Sequence, residues 1–263
     1  MKTVLVTGVA RGIGRGIAER FLDEGYTLYG TFNTSSKKAE ELVHKYGAER
    51  VKLFGPYDYT DLEQVTTMVN DLKNYRFDSI VCNSGMFSEN DDFNCFDITE
   101  FNKTMHCNFY APMMICIGLK DSINPNGSIV LMSSNDAYPG AFSSIAYTIS
   151  KSSVISLMKC LCVNFGNKNI RVNSVAPGAI NTDMNTDEQM NIAPYFTPVS
   201  RVGQPIDVAK VVFFLASEDS GFVNGENITI DGGYNIVSIL LKSEADPDLS
   251  SLLQKFIGTK NDN

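Results

Sequence analysis

Short apolar runs alternate with stretches of helical periodicity along most of the chain. Thr3–Thr7 reads as a buried strand, and Gly14–Glu24 follows as a helix with Ile17, Ala18, Phe21 and Leu22 on one side. The pairing repeats as strand Thr27–Phe32 and helix Ser36–Tyr46, then Val51–Pro56 and Leu62–Asn74, then Ser79–Cys82 and a long helix Thr99–Leu119. Ser128–Ser133 is a fifth strand, followed by a helix that carries Tyr147 and Lys151; Val172–Ala176 is a sixth, followed by helix Ile206–Ala216. Asn227–Asp231 closes the series as a seventh. Strands regularly separated by helices predict βαβ units, and so an α/β fold: a doubly wound parallel sheet with helices on both faces.

No repeat, low-complexity segment or linker interrupts this pattern, and 263 residues with 43% apolar content suit one domain. We place that domain at residues 1–234, with a C-terminal extension at 235–263. In the extension, Asp246 and Pro247 are placed to start a helix, with Leu249, Leu252, Leu253, Phe256 and Ile257 on one stripe. That stripe needs cover from its own domain or from a neighbouring subunit. The longest irregular stretch, Asn181 to Pro205, is the candidate binding loop or lid.

The net charge of −8, with Lys37-Lys38 as the only local basic cluster of interest, disfavours nucleic acid and anionic membrane as partners. No run approaches a membrane span, and the opening Met1–Gly8 is too short for a signal peptide, so the expected location is cytoplasmic. The six cysteines are then read as free thiols, with Cys160 and Cys162 in the core. Two distant histidines and no C-x-x-C give no zinc pattern.

Two stretches carry chemistry. Tyr147 and Lys151 lie one helical turn apart on one face, where a fixed ammonium would favour the phenolate and make the tyrosine a proton-transfer group. Thr7-Gly8-Val9-Ala10-Arg11-Gly12-Ile13-Gly14 joins the first strand to the first helix, and its glycines would let the backbone approach a pyrophosphate held at the helix N-terminus. An acidic residue at the end of the second strand would bind the ribose hydroxyls of NAD. That position is Phe32, followed by Asn33, Thr34, Ser35 and Ser36. Arg11, the hydroxyls of Thr34–Ser36 and Lys37 could instead hold a phosphate dianion, which favours NADP(H) and leaves NAD(H) possible.

The spacing Gly-x-x-x-Gly-x-Gly, with Asn108, Ser134, Tyr147 and Lys151 in order, resembles the short-chain dehydrogenase/reductase family and its catalytic tetrad. The resemblance runs from Thr3 to about Tyr234. It includes Asn83-Ser84-Gly85, one hydroxyl away from the family's Asn-Ala-Gly, as well as Pro177-Gly178-Ala179-Ile180-Asn181-Thr182 and Ile230-Asp231-Gly232-Gly233. It implies a Rossmann-type fold and an oxidoreductase interconverting a carbonyl and a secondary alcohol by hydride transfer. Tyr147 would be the acid or base, Lys151 would lower its pKa and bind the nicotinamide ribose, and Ser134 (rather than Ser133) would hold the substrate oxygen. Asn108 would support a relay water, and Asp58 would sit beside the adenine. Asn83, Ser84 and Gly85 would flank the cofactor, while Pro177, Gly178, Ile180 and Thr182 would line the nicotinamide pocket. The resemblance also implies a homo-oligomer, a tetramer or dimer built on the long fourth helix and the Tyr147 helix.

The substrate is read less finely. Met86, Phe87, Asn135, Asp136, Tyr138, Phe142, Met184, Tyr195 and Phe196 suit a partly hydrophobic small molecule, with Ser134, Asp136, Phe142, Tyr147 and Met184 as the contacts and Asp136 free to bind a polar group. Relatives acting on 3-oxoacyl-[acyl-carrier-protein] are the main alternative. The uncharged turn Ile123–Gly127 and the acidic chain oppose docking of an acidic carrier, with Lys168 and Arg171 as the basic residues near the other candidate patch. A non-catalytic NADP-sensing protein on this fold and an epimerase or dehydratase complete the alternatives; the latter relatives carry a larger C-terminal substrate domain.

Overall fold

The computed structural model describes residues 1–88, 93–94, 96–141 and 143–258, so Cys95 and Phe142 lie outside the described residues. Its strands are β1 (Thr3–Val6), β2 (Thr27–Thr31), β3 (Val51–Phe54), β4 (Phe77–Cys82), β5 (Ile123–Met132), β6 (Arg171–Pro177) and β7 (Asn227–Ile230). They form one parallel sheet in the order β3-β2-β1-β4-β5-β6-β7. The helices are α1 (Gly12–Asp23), α2 (Ser36–Tyr46), α3 (Leu62–Leu72), α4 (Ile98–Met105), α5 (Ala111–Gly118), α6 (Ile145–Phe165), α7 (Asp187–Phe196), α8 (Pro205–Ala216), α9 (Ile239–Ala245) and α10 (Pro247–Gly258).

The two-residue period of the strands explains the two layers. Val4, Val6 and Val130 face α1, α2 and α8, packing with Ile17, Phe21, Leu42 and Val212. Their neighbours Leu5, Ile80 and Leu131 face the other way and pack with Met68 of α3, Ile115 of α5 and Met158 of α6. Strand order reverses between β1 and β4, and this opens a crevice at their C-terminal ends.

Three segments differ from the sequence pattern. The long fourth helix is broken into α4 and α5 by a wide π turn, His106–Tyr110, that contains Asn108. Pro112 has no N–H to return to the Asn108 carbonyl, so the α-helical bond cannot form there and the turn widens. Strand β5 starts at Ile123 rather than Ser128, because residues 124–127 bulge outward between the Phe77–Ile123 and Ser79–Ser128 pairs. Asn126 takes a left-handed φ of 64° in that bulge. The third difference is α7, which occupies the middle of the segment read as irregular. Thr186 and Gln189 start it with a reciprocal capping box.

In the extension, the Asp248 and Leu249 N–H groups donate to Asp246 Oδ1 (3.1 and 3.3 Å), the helix start expected there. Leu249 is fully buried and α10 packs on α7. Lys242 of α9 donates to the carbonyls of Tyr195 (2.6 Å) and Thr197 (3.1 Å), so the extension also holds the C-terminal end of α7. No helix among the described residues is long and apolar enough to cross a membrane.

Candidate active site

The glycine loop lies in the crevice between β1 and β4. Gly8 and Gly12 have φ of 74° and 55°, the left-handed region that a side chain resists. Gly14 is helical, but a Cβ there would lie 2.1 Å from the Gly8 carbonyl oxygen. Thr7 Oγ1 accepts the N–H groups of Asn83 and Ser84 (2.9 Å each), and Asn83 Nδ2 donates back to Thr7 O (2.9 Å), fastening the loop after β4 to the glycine loop. Arg11, the N-cap residue of α1, makes no side-chain capping bond, which leaves the first turn of the helix open to an anion. The tight loop and open helix start fit a dinucleotide pyrophosphate. The extra hydroxyl of Ser84 also has a partner: it bonds Tyr59, whose hydroxyl pairs with Thr31 Oγ1 at 2.5 Å.

Asn108, Ser134, Tyr147 and Lys151 come together at the C-terminal end of β5. Ser134 follows the strand, and its hydroxyl accepts the Asp136 N–H (3.1 Å) and bonds Tyr147. The competing Ser133 hydroxyl points elsewhere and donates to the Lys151 carbonyl (2.9 Å). Lys151, buried in α6, donates from Nζ to Met132 O at 2.9 Å and lies 5.6 Å from the centre of the Tyr147 ring. Asn108 accepts the Met86 N–H (2.8 Å) and donates to Met86 O (2.9 Å) and Ser150 Oγ (3.0 Å). Its two N–H groups are therefore both in use, and the side chain clamps the loop after β4 to α6. Gly85 fits between the two groups: a Cβ there would lie 3.3 Å from both Asn108 Oδ1 and Lys151 Nζ.

Electrostatics correct one expectation. The Tyr147 pKa is pushed up to about 12, chiefly by burial; the Ser134 hydrogen bond opposes this and the Asp136 charge adds to it. Burial draws Lys151 down to about 8. The sequence predicts a Tyr147 acidified by Lys151; burial is the largest influence on both groups, and the phenol stays above its ordinary value. Asp136, beside Ser134, is itself raised by burial, with the Ser134 hydrogen bond opposing the shift.

Around this centre, the Thr182 side chain lies over Gly12, where a Cβ would be 3.3 Å from its methyl group. Gly178 is required for a different reason: its Cβ would lie 2.7 Å from the Asp231 Cβ. Ile180 is buried and bridges to Gly203, while Pro177 ends β6 opposite Ile230. Asp58 accepts the Thr60 N–H and hydroxyl (2.9 and 2.8 Å). Ser35 is the N-cap residue of α2 but makes no capping bond, and Asn33 and Thr34 beside it are exposed. Lys38, rather than the expected Lys37, points with Arg11 toward Asp183. Phe87 meets the Tyr147 ring edge-on (centroids 5.4 Å apart), and Met184 is exposed nearby in sequence to Thr182. Tyr138 is engaged with β7, accepting from Asn227 Nδ2 at 2.6 Å. Two further residues depart from expectation. Arg171 is buried and donates to Leu215 O, Ser217 O and Ser220 Oγ at the end of α8, so it is not available to a partner. Cys160 is exposed on the outer face of α6 rather than in the core.

The family described as enoyl-(acyl carrier protein) reductase matches residues 8–235. The chain belongs to the short-chain dehydrogenase/reductase family, oxidoreductases that act on carbonyl and hydroxyl groups with a nicotinamide cofactor. It is 31% identical to trihydroxynaphthalene reductase of Colletotrichum orbiculare, over 88% of this chain and 88% of that protein. It is 32% identical to a versicolorin reductase of Emericella nidulans, over 88% of this chain and 95% of that one. Among solved structures, a short-chain dehydrogenase from Burkholderia cenocepacia in complex with NADP superposes with a TM-score of 0.83 at 27% identity, covering 89% of this chain and 98% of that one. A blue fluorescent protein from a metagenomic library, in complex with NADPH, gives 0.82 at 28% identity over 89% and 97%.

Proposed function

We propose that the protein is an NADPH-dependent reductase of a small, partly hydrophobic carbonyl compound, with Tyr147 as the proton donor. The observation that carries this reading is the meeting of the Ser134 and Tyr147 hydroxyls beside buried Lys151, at the sheet end that also holds the glycine loop. When bound, the nicotinamide supplies the hydride. Tyr147, neutral at physiological pH, gives its proton to the carbonyl oxygen. Ser134 donates a hydrogen bond to the same oxygen as charge develops on it. Lys151, fixed by Met132 O, sets a positive charge beneath the tyrosine and would bond the nicotinamide ribose.

The absence of a carboxylate after β2 and the presence of Arg11 support NADPH, as do the cofactors of the two solved relatives. The hydroxynaphthalene and versicolorin reductases suggest an aromatic ketone, and Phe87 against Tyr147 offers a ring surface to one. An acyl carrier protein is a poorer candidate, since the chain carries −8 and Arg171 is buried. Exposed Tyr110 just before α5 and Ile117 on it, with Ile149 and Val163 on α6, support a dimer or tetramer formed on these helices.

The test is a spectrophotometric screen of aromatic and aliphatic ketones against NADPH and NADH. The expected result is faster consumption of NADPH than of NADH with at least one ketone. Tight NADPH binding without consumption by any carbonyl would replace the enzyme with a cofactor-sensing protein.

A further inference from the structure

We propose that Asp183 competes with the 2′-phosphate of NADPH for the cations Arg11 and Lys38, and thereby lowers the preference for NADPH over NADH. This inference rests on the NADPH reading above. One oxygen of Asp183, Oδ2, lies 3.5 Å from both Arg11 Nη1 and Lys38 Nζ. The three residues come from three elements: the N-cap position of α1, the first turn of α2, and the segment joining β6 to α7.

The backbone around this meeting is held from both sides. Arg15 Nη1 donates to the Lys38 carbonyl at 2.7 Å, fixing the first turn of α2 to α1. Thr182 sits over Gly12, which keeps its neighbour Asp183 beside the glycine loop. The carboxylate therefore occupies the place between the two cations through its anchored neighbours.

A phosphate dianion and a carboxylate cannot both be well satisfied there. They share the same donors, and their like charges repel. The Asp183 pairs are more than half exposed, so solvent screens them and a stronger ligand can displace them. The 2′-hydroxyl of NADH has no negative charge for these cations to meet and leaves the Asp183 contacts in place. Asp183 thus acts as negative selection at the phosphate site.

The test is fluorescence titration of NADPH and NADH binding to the wild type, Asp183→Asn, Lys38→Gln and Arg11→Ala. Asp183→Asn is expected to tighten NADPH by about two- to fivefold, the order expected for two long, solvent-screened pairs, with NADH unchanged. Lys38→Gln and Arg11→Ala are expected to weaken NADPH selectively. If Asp183→Asn leaves NADPH unchanged, weakens it, or tightens both cofactors equally while Arg11→Ala still weakens NADPH selectively, the competition is refuted and the phosphate site stands. If Arg11→Ala affects both cofactors equally, the phosphate site itself is refuted.

Discussion

Replacing Asn108 with alanine separates a clamp from a catalytic group. The side chain is 2% exposed and holds both polar groups of the Met86 backbone together with Ser150 Oγ. Truncation leaves an N–H and a C=O without partners, which would cost about 1–3 kcal/mol each if fully buried. Met86 is only partly buried, so water recovers some of this, and a total of about 2–4 kcal/mol follows. In a domain of this size each kcal/mol lowers Tm by about 2–4 °C, so the expected drop is on the order of 5–15 °C. The loop Asn83–Gly85, freed from α6, would also lose its position against the cofactor, and a misplacement of about 1 Å can cost roughly 10²-fold in turnover. Asn108→Asp keeps an acceptor for the Met86 N–H but cannot donate to Met86 O, so it too should melt early. The assays are a calorimetric melt and turnover with NADPH and any ketone substrate. An Asn108→Ala protein with wild-type Tm and lost turnover would refute the clamp and restore the side chain to the chemistry.

Two further outcomes are expected. Gly14→Ala would gain about 1 kcal/mol of helix propensity but places its Cβ 2.1 Å from a backbone oxygen that cannot move cheaply, so overpacking wins and stability falls by about 1–3 kcal/mol with NADPH binding weakened; a melt at or above wild type would contradict this. Lys151, drawn from 10.5 to about 8 by burial, is neutral in the fold at pH values where it is still charged in the unfolded chain. Its contribution to stability is therefore fully present above pH 10.5 and lost as pH falls through about 8. Lys151→Met should accordingly be more stable than wild type near pH 7, by up to about 3 kcal/mol less the lost Met132 bond, and should lose that advantage toward pH 10. Denaturant melts at the two pH values decide it; a difference that does not change with pH would contradict the assignment.

The strands were legible because the sheet is covered on both sides, which leaves runs such as Val4-Leu5-Val6 with no polar face. The glycine loop and the Tyr147–Lys151 spacing were legible because each is a local geometric requirement. Other features depend on partners distant in sequence. Thr186 and Gln189 have the spacing of a capping pair, a local cue to α7 that the reading of this stretch as irregular did not use, and Pro194 inside the helix and a weak apolar stripe concealed the rest. Pro112 is a local cue to the break in the long fourth helix that the apolar pattern masked, while the clamp made by Asn108 depends on where Met86 lies in space. Lys37 and Lys38 are indistinguishable by composition; the helical phase of α2 and the position of Asp183 select Lys38. Arg171 looked like a surface cation because nothing local reveals the carbonyls at the end of α8 that surround it. The raised value of Tyr147 was not legible, because charge proximity can be read from spacing whereas burial cannot.

The most direct measurement is turnover of the Tyr147→Phe variant with its NADPH affinity determined in parallel. Removal of the hydroxyl that bonds Ser134 should lower kcat by roughly 10²–10⁴-fold, the usual range for a general acid, while NADPH binds within a few-fold of wild type. Undiminished turnover in a variant that still binds NADPH would contradict the account.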